Sequence, residues 1–94
     1  MTADPGAVAM ARADVTLQRV GPEAILHDAL SGQAHVINAS AARVWELCDG
    51  RPMDDLLAAF AEPYGLAPET VRDDVERVLA GFRELGLLTE GSPG

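Results

Sequence analysis

The hydrophobic period of this chain changes partway along, and that change limits the folds open to it. From Val15 to Ile37 apolar and polar residues roughly alternate in short runs, broken by Gly21-Pro22 and by Ser31-Gly32. From Ala39 onward the apolar residues recur at spacings of three and four. Alternation sends successive side chains to opposite faces of a strand, whereas three-and-four spacing lines up one stripe of a helix. The first third therefore reads as strands and the rest as helices.

Val15–Val20, Ala24–Asp28 and Gln33–Ile37 form the strand runs, with a glycine-containing turn at each junction. Glycine accepts the positive φ that tight hairpin turns require, so a three-stranded antiparallel meander is the economical reading. Taken as a two-residue turn, Ser31-Gly32 would set Asp28 opposite His35. A sheet this small needs a helical layer over one face.

Asn38, with Ser40 competing, is placed to cap a helix running to about Cys48, with Ala41, Val44, Trp45 and Cys48 on its apolar stripe and Gly50 beyond its end. A short helix follows, with Pro52 in its first turn, Asp54 and Asp55 near its positive end, and Met53, Leu56, Leu57 and Phe60 as its apolar residues up to Pro63. Pro68 and Glu69 open the longest helix, whose apolar side carries Val71, Val75, Val78, Leu79, Phe82 and Leu85, with Gly86 past its end. Leu87 and Leu88 return to the core. Three strands followed by three helices is an α+β domain with its helices on one face of the sheet, and the bend at Tyr64-Gly65 gives the last two helices a winged helix-turn-helix-like outline.

At 94 residues the chain is one small domain, burying roughly 60 to 65% of the surface its unfolded form exposes, which leaves no room for a deep cleft. Residues 1–13 and 90–94, rich in Ala, Gly, Pro and Ser, read as flexible tails around a domain spanning 14–89. No run approaches the roughly 20 apolar residues of a membrane span, and the N-terminus lacks the basic and bulky apolar segments of a secretion signal, so a cytoplasmic location is expected. Fifteen acidic residues against seven basic ones, all arginine, argue against general affinity for nucleic acid or for anionic membranes.

A catalytic constellation does not assemble from the available groups. Cys48 is the single cysteine, which excludes an internal disulfide and a multi-cysteine zinc site. It sits near a helix C-terminus beside Asp49, where a thiolate is disfavoured, and reads as a small core residue. His27 and His35 leave a metal short of ligands unless a carboxylate or a second chain contributes. Asp54-Asp55 and Asp73-Asp74 are consecutive in helices and so diverge by about 100° instead of converging on a substrate. No glycine-rich phosphate loop is present.

An interaction surface is on offer instead. Gln33–Ile37 comes last in the meander and so lies at an edge, where unpaired main-chain groups can accept an extended peptide. Gly81 lies inside a helix, where glycine costs about 1 kcal/mol against alanine; a close-approaching backbone and plain helix-to-sheet packing are the two readings of it.

The pieces Ile25-Leu26-His27-Asp28, Ser31-Gly32, Ile37-Asn38-Ala39-Ser40-Ala41-Ala42, Val44-Trp45-Glu46-Leu47-Cys48-Asp49-Gly50, Asp74-Val75 and Leu85-Gly86-Leu87-Leu88 follow in an order and spacing that resembles the PqqD family across residues 15–89. The resemblance implies a peptide chaperone, or RiPP recognition element: a winged-helix-like module that holds the leader of a ribosomally made precursor peptide and presents it to a modifying enzyme. In that family the leader adds as a strand beside the third strand of the meander and packs on the third helix. Carried onto this chain, the implied peptide-binding residues are Ala34, His35, Val36 and Ile37 on the strand and Asp74, Arg77, Val78, Gly81 and Phe82 on the helix.

The family's strand is often aromatic where this chain has Ala34-His35-Val36, which points to a different choice of leader. The resemblance further implies a radical S-adenosylmethionine enzyme as the first-choice partner and a lasso-type leader peptidase as the next. It implies no catalytic residue, metal or cofactor in the domain itself. The alternative from the residues is a winged-helix DNA-binding regulator, although the helix from 68 to 85 carries three arginines against five carboxylates.

Overall fold

The computed structural model describes residues 8–90. Its elements are strand β1 (Val8–Ala11), β2 (Val15–Val20), β3 (Glu23–Asp28) and β4 (Gln33–Ile37), helix α1 (Ala39–Glu46), strand β5 (Asp49–Pro52), helix α2 (Met53–Ala61), a 3-10 turn (Glu62–Tyr64), helix α3 (Pro68–Glu84) and strand β6 (Leu88–Glu90). The meander is present as expected, antiparallel in the order β2-β3-β4. Gly21 and Pro22 alone separate Val20 from its partner Glu23, and Gly21 takes a positive φ there.

The second hairpin differs from a two-residue turn. Its loop is Ala29–Gly32, closed by the Gly32 N–H donating to the Asp28 carbonyl at 2.8 Å, so Asp28 pairs with Gln33 and His35 pairs with Leu26. Asp28 and His35 are thus two residues out of register. The cause is the Asp28 carboxylate itself, whose Oδ1 accepts from the N–H groups of Leu30 and Ser31 and wraps the chain into a longer loop.

The larger correction concerns the N-terminal tail. Within the 1–13 segment read as flexible, Val8–Ala11 is the central strand of a second sheet, in the order β5-β1-β6, and Glu90, placed in the C-terminal tail, ends β6. Residues 1–7 and 91–94 of those two segments lie outside the described residues. Asp49–Pro52 is a strand, so Gly50 sits within β5 at φ +94° and Pro52 is the residue before α2, which starts at Met53. Small residues such as Ala9 and Ala11 carry little periodic signal, and their partners are remote in sequence, so pairing is visible only in three dimensions.

Helix starts and stops follow the local chemistry. The Asn38 side chain accepts from the Ala41 N–H at 2.8 Å, capping α1. Gly65 and Gly86 take left-handed conformations at the bend before α3 and just past its end. Leu26 from the meander, Val44 from α1, Leu56 and Leu57 from α2, Val75 and Leu79 from α3, and Leu87 beyond it are fully buried and form one core. Burial of this kind is worth about 1.5–3 kcal/mol for each large side chain before chain entropy is subtracted. Helices cover one face of the meander.

Candidate functional site

Strand β4 has β3 on one side and no strand on the other among the described residues. The direction of its main-chain groups follows from one bond. The Ala29 N–H donates to the Asp14 carbonyl at 3.0 Å, so Ala29, and with it His27 and Ile25, aims its polar groups at β2. Asp28, Leu26 and Ala24 then aim at β4, where they meet Gln33, His35 and Ile37. By alternation, Ala34 and Val36 turn their N–H and C=O groups outward, away from the ladder.

The four strand residues singled out in the sequence therefore divide into two kinds. Ala34 and Val36 present free main-chain groups, and their side chains stand on the uncovered outer face, Val36 being 67% exposed. His35 and Ile37 are tied to β3 through their backbones and turn half-buried side chains to the helical side, opposite buried Leu26 and Ala24.

The helical side contains an open groove of about 520 Å³ that starts at Asn38, the residue after β4. Buried Val44, Phe60 and Val71 form its floor, Val78, Leu66 and Tyr64 its apolar walls, and Asn38, Ser40, Asp74 and Arg77 its polar rim. Three of the helix residues named from the sequence, Asp74, Arg77 and Val78, line it. Gly81 continues their stripe one turn on, and a Cβ built there meets nothing within 4 Å, so the glycine does not mark close packing inside the domain. Phe82 is placed elsewhere. It is 3% exposed and packs on Trp45 in the core, because its position falls on the stripe of Val71, Val75 and Leu79.

Helix α3 thus has three working faces. Core residues occupy one, the Asp74-Arg77-Val78-Gly81 stripe a second, and a ladder of ion pairs a third, where Arg72 reaches Glu69 at 3.2 Å and Glu76 at 3.5 Å. Arg77 pairs with Asp74 at 3.6 Å on the exposed rim. With carboxylates alongside two of its arginines, this helix is poorly suited to track phosphates.

Several groove residues carried no sequence signal. Tyr64 and Leu66 lie in the connection before α3, where no periodicity applies, yet both are large, apolar and exposed. Arg43 holds the Tyr64 part of this wall against α2. Its guanidinium donates to the carbonyls of Phe60 and Ala59 at 3.1 and 3.3 Å and lies over the Phe60 and Tyr64 rings, 4.7 and 5.3 Å from their centroids.

The nucleophile and ligand candidates do not converge. His27 stands on the outer sheet face, hydrogen-bonded to Gln18 at 2.7 Å, while His35 faces the helical side and Cys48 lies in the core. The Cys48 thiol donates to the Val44 carbonyl at 3.1 Å. Burial, reinforced by the Asp49 charge and opposed by Arg83, pushes it up to about 12. Among the described residues no three of His, Cys, Asp and Glu come together in a way that could hold a metal ion.

Residues 23–88 match the family described as "Coenzyme PQQ synthesis protein D (PqqD)". Among solved structures, the fold is similar to that titled "TbiB1 in Complex with the TbiA(beta) Leader Peptide", with a TM-score of 0.72 and 21% identity over 90% of this chain and 99% of that one. No curated protein matches the chain.

Proposed function

The chain belongs to the PqqD family, and from that premise we propose that it is a non-catalytic peptide chaperone that captures the leader segment of a ribosomally made precursor and presents it to a modifying enzyme. The observation that carries this reading is the unpaired edge of β4, with the outward main-chain groups of Ala34 and Val36 beside a groove lined by Asp74, Arg77 and Val78. A leader strand would bond to those outward groups. Its alternate side chains would fall beside His35 and Ile37 and drop toward the apolar floor of the groove. The solved neighbour of the same fold is a complex with a leader peptide, which supports the reading.

The partner we favour is a radical S-adenosylmethionine enzyme, with a lasso-type leader peptidase next, because Leu47-Cys48-Asp49-Gly50 is nearer the pyrroloquinoline quinone group of the family. Any cluster or cofactor would belong to that enzyme, and we place the domain in the cytoplasm with it.

The test is an amide-shift titration with a synthetic peptide spanning the leader half of the precursor encoded beside this gene. Proline at Val36 removes an outward N–H and should abolish capture while leaving the fold intact; proline at His35 removes a ladder N–H and should unfold the hairpin. Wild-type affinity in a folded Val36→Pro protein would rule out strand addition at β4. Absence of peptide binding together with salt-sensitive duplex binding would favour the DNA-binding alternative.

A further inference from the structure

We propose that Arg12 is a positioning residue for the peptide path between β4 and α3, a clasp that fixes how far α3 stands from the edge strand. This rests on the peptide-binding reading above. Arg12 lies between β1 and β2, and its guanidinium serves three places at once. Nη1 and Nη2 reach the two Asp28 carboxylate oxygens at 3.2 and 3.1 Å. Nη1 also donates to the Gly86 carbonyl at 2.7 Å, and Nε and Nη2 hold Asp14 at 3.0 and 2.9 Å. The Arg12 N–H donates to the Leu87 carbonyl at 3.1 Å.

The position of these bonds gives them their consequence. Asp28 pairs with Gln33, the first residue of β4, and its carboxylate also organises the loop that leads there. Gly86 follows the C-terminus of α3. At the other end of β4, Asn38 borders the groove opposite Arg77 and Val78. From Gln33 to Asn38 a strand advances about 17 Å, and from Arg77 to Gly86 a helical path advances about 14 Å. The two paths are therefore of similar length. Core packing holds them together at the Asn38 end, and Arg12 joins them at the Gln33 end. Between those ends lies the open space beside Gly81.

A bidentate guanidinium suits this role because its planar fork fixes distance and angle, which a lysine ammonium cannot do. Asp28 is 5% exposed, so its carboxylate is largely shielded from water and salt while Arg12 stays partly exposed. Without the clasp, the side-chain link between the α3 C-terminus and the β3–β4 hairpin is lost while the Arg12 N–H bond to Leu87 remains, and the separation of α3 from β4 becomes variable.

The test is Arg12→Lys in the full chain, with Asp28→Asn as the second variant, since Asn keeps an acceptor for Leu30 and Ser31 and loses the ionic half. Spin labels on Gln33→Cys and Glu84→Cys report the separation of the two elements without any ligand; the leader-half peptide used above reports affinity, both at a temperature where circular dichroism shows full folding. The clasp predicts a broadened label distance and an affinity lower by about tenfold, the scale of a typical coupling between sites. A merely structural Arg12 would lower the melting temperature and leave both readouts of the folded protein unchanged, and that result in both variants would overturn the proposal. A wild-type protein that binds no leader would instead overturn the peptide reading, and the label distances would still decide the clasp.

Discussion

The rings of Trp45 and Phe82 meet edge to face, 5.3 Å between centroids at an interplanar angle of 85°, and join α1 to α3 in the core. The hydrogen-rich edge of one ring points at the electron-rich face of the other, a contact worth about 0.5–1.5 kcal/mol beyond burial. It makes Phe82 a structural residue. Phe82→Ala should destabilise the domain by about 3–5 kcal/mol through lost burial and a residual cavity, measured by urea unfolding. A loss below about 1 kcal/mol would mean that the site is not the packed core described.

Gly81 separates stability from binding. Its helical backbone tolerates a side chain, and nothing in the unbound domain occupies the added Cβ position. Gly81→Ala should therefore raise stability by about 0.5–1 kcal/mol, through helix propensity and a less flexible unfolded chain. The methyl group would point into the path of the proposed leader, so leader affinity should fall while the melting temperature rises. A rise in both would place the peptide elsewhere.

Acid should unfold this protein in a defined window. The Arg12 guanidinium holds the Asp14 carboxyl below its ordinary value. At Asp28 burial acts to raise it, but the N–H groups of Ser31 and Leu30 and the Arg12 guanidinium outweigh that and hold it low. Arg51 takes Asp49 down to about 2. For a depressed carboxyl the unfolded chain binds protons first, so the stabilisation is complete above the ordinary value of 3.8 and is lost as pH falls through the lower folded value. Thermal melts should decline steeply below about pH 4, and Asp28→Asn should flatten part of that decline. An unchanged slope in the variant would remove Asp28 from the account.

Cys48 makes the opposite prediction at high pH. The folded thiol is held near 12 against an ordinary 9.0, so the unfolded chain loses its proton first and stability falls as pH rises from 9.0 towards 12. Cys48→Ser keeps a donor for the Val44 carbonyl and should remove this alkaline component, while the native protein should resist iodoacetamide at pH 8. Rapid alkylation of the folded protein would contradict its buried placement.

Local chemistry alone determined the elements with short-range causes. The β2-β3-β4 meander, the Asn38 cap, the bend at Gly65 and the end of α3 before Gly86 rest on residues a few positions apart, so periodicity and turn chemistry expose them. The edge position of β4 was legible for the same reason, whereas Asp74, Arg77 and Val78 were named for peptide binding only through the family resemblance.

Tertiary structure decided what depends on partners remote in sequence. Val8–Ala11 becomes a strand only because Asp49–Pro52 and Leu88–Glu90 arrive on either side of it. Phe82 is drawn into the core by Trp45, Tyr64 joins a groove wall beneath the Arg43 guanidinium with Leu66 lining the same groove, and Arg12 becomes a clasp only where Asp28 and Gly86 converge. Propensity acts over one or two turns of chain. Burial and long-range hydrogen bonding act across the folded molecule, and no local pattern records which distant groups they will bring together.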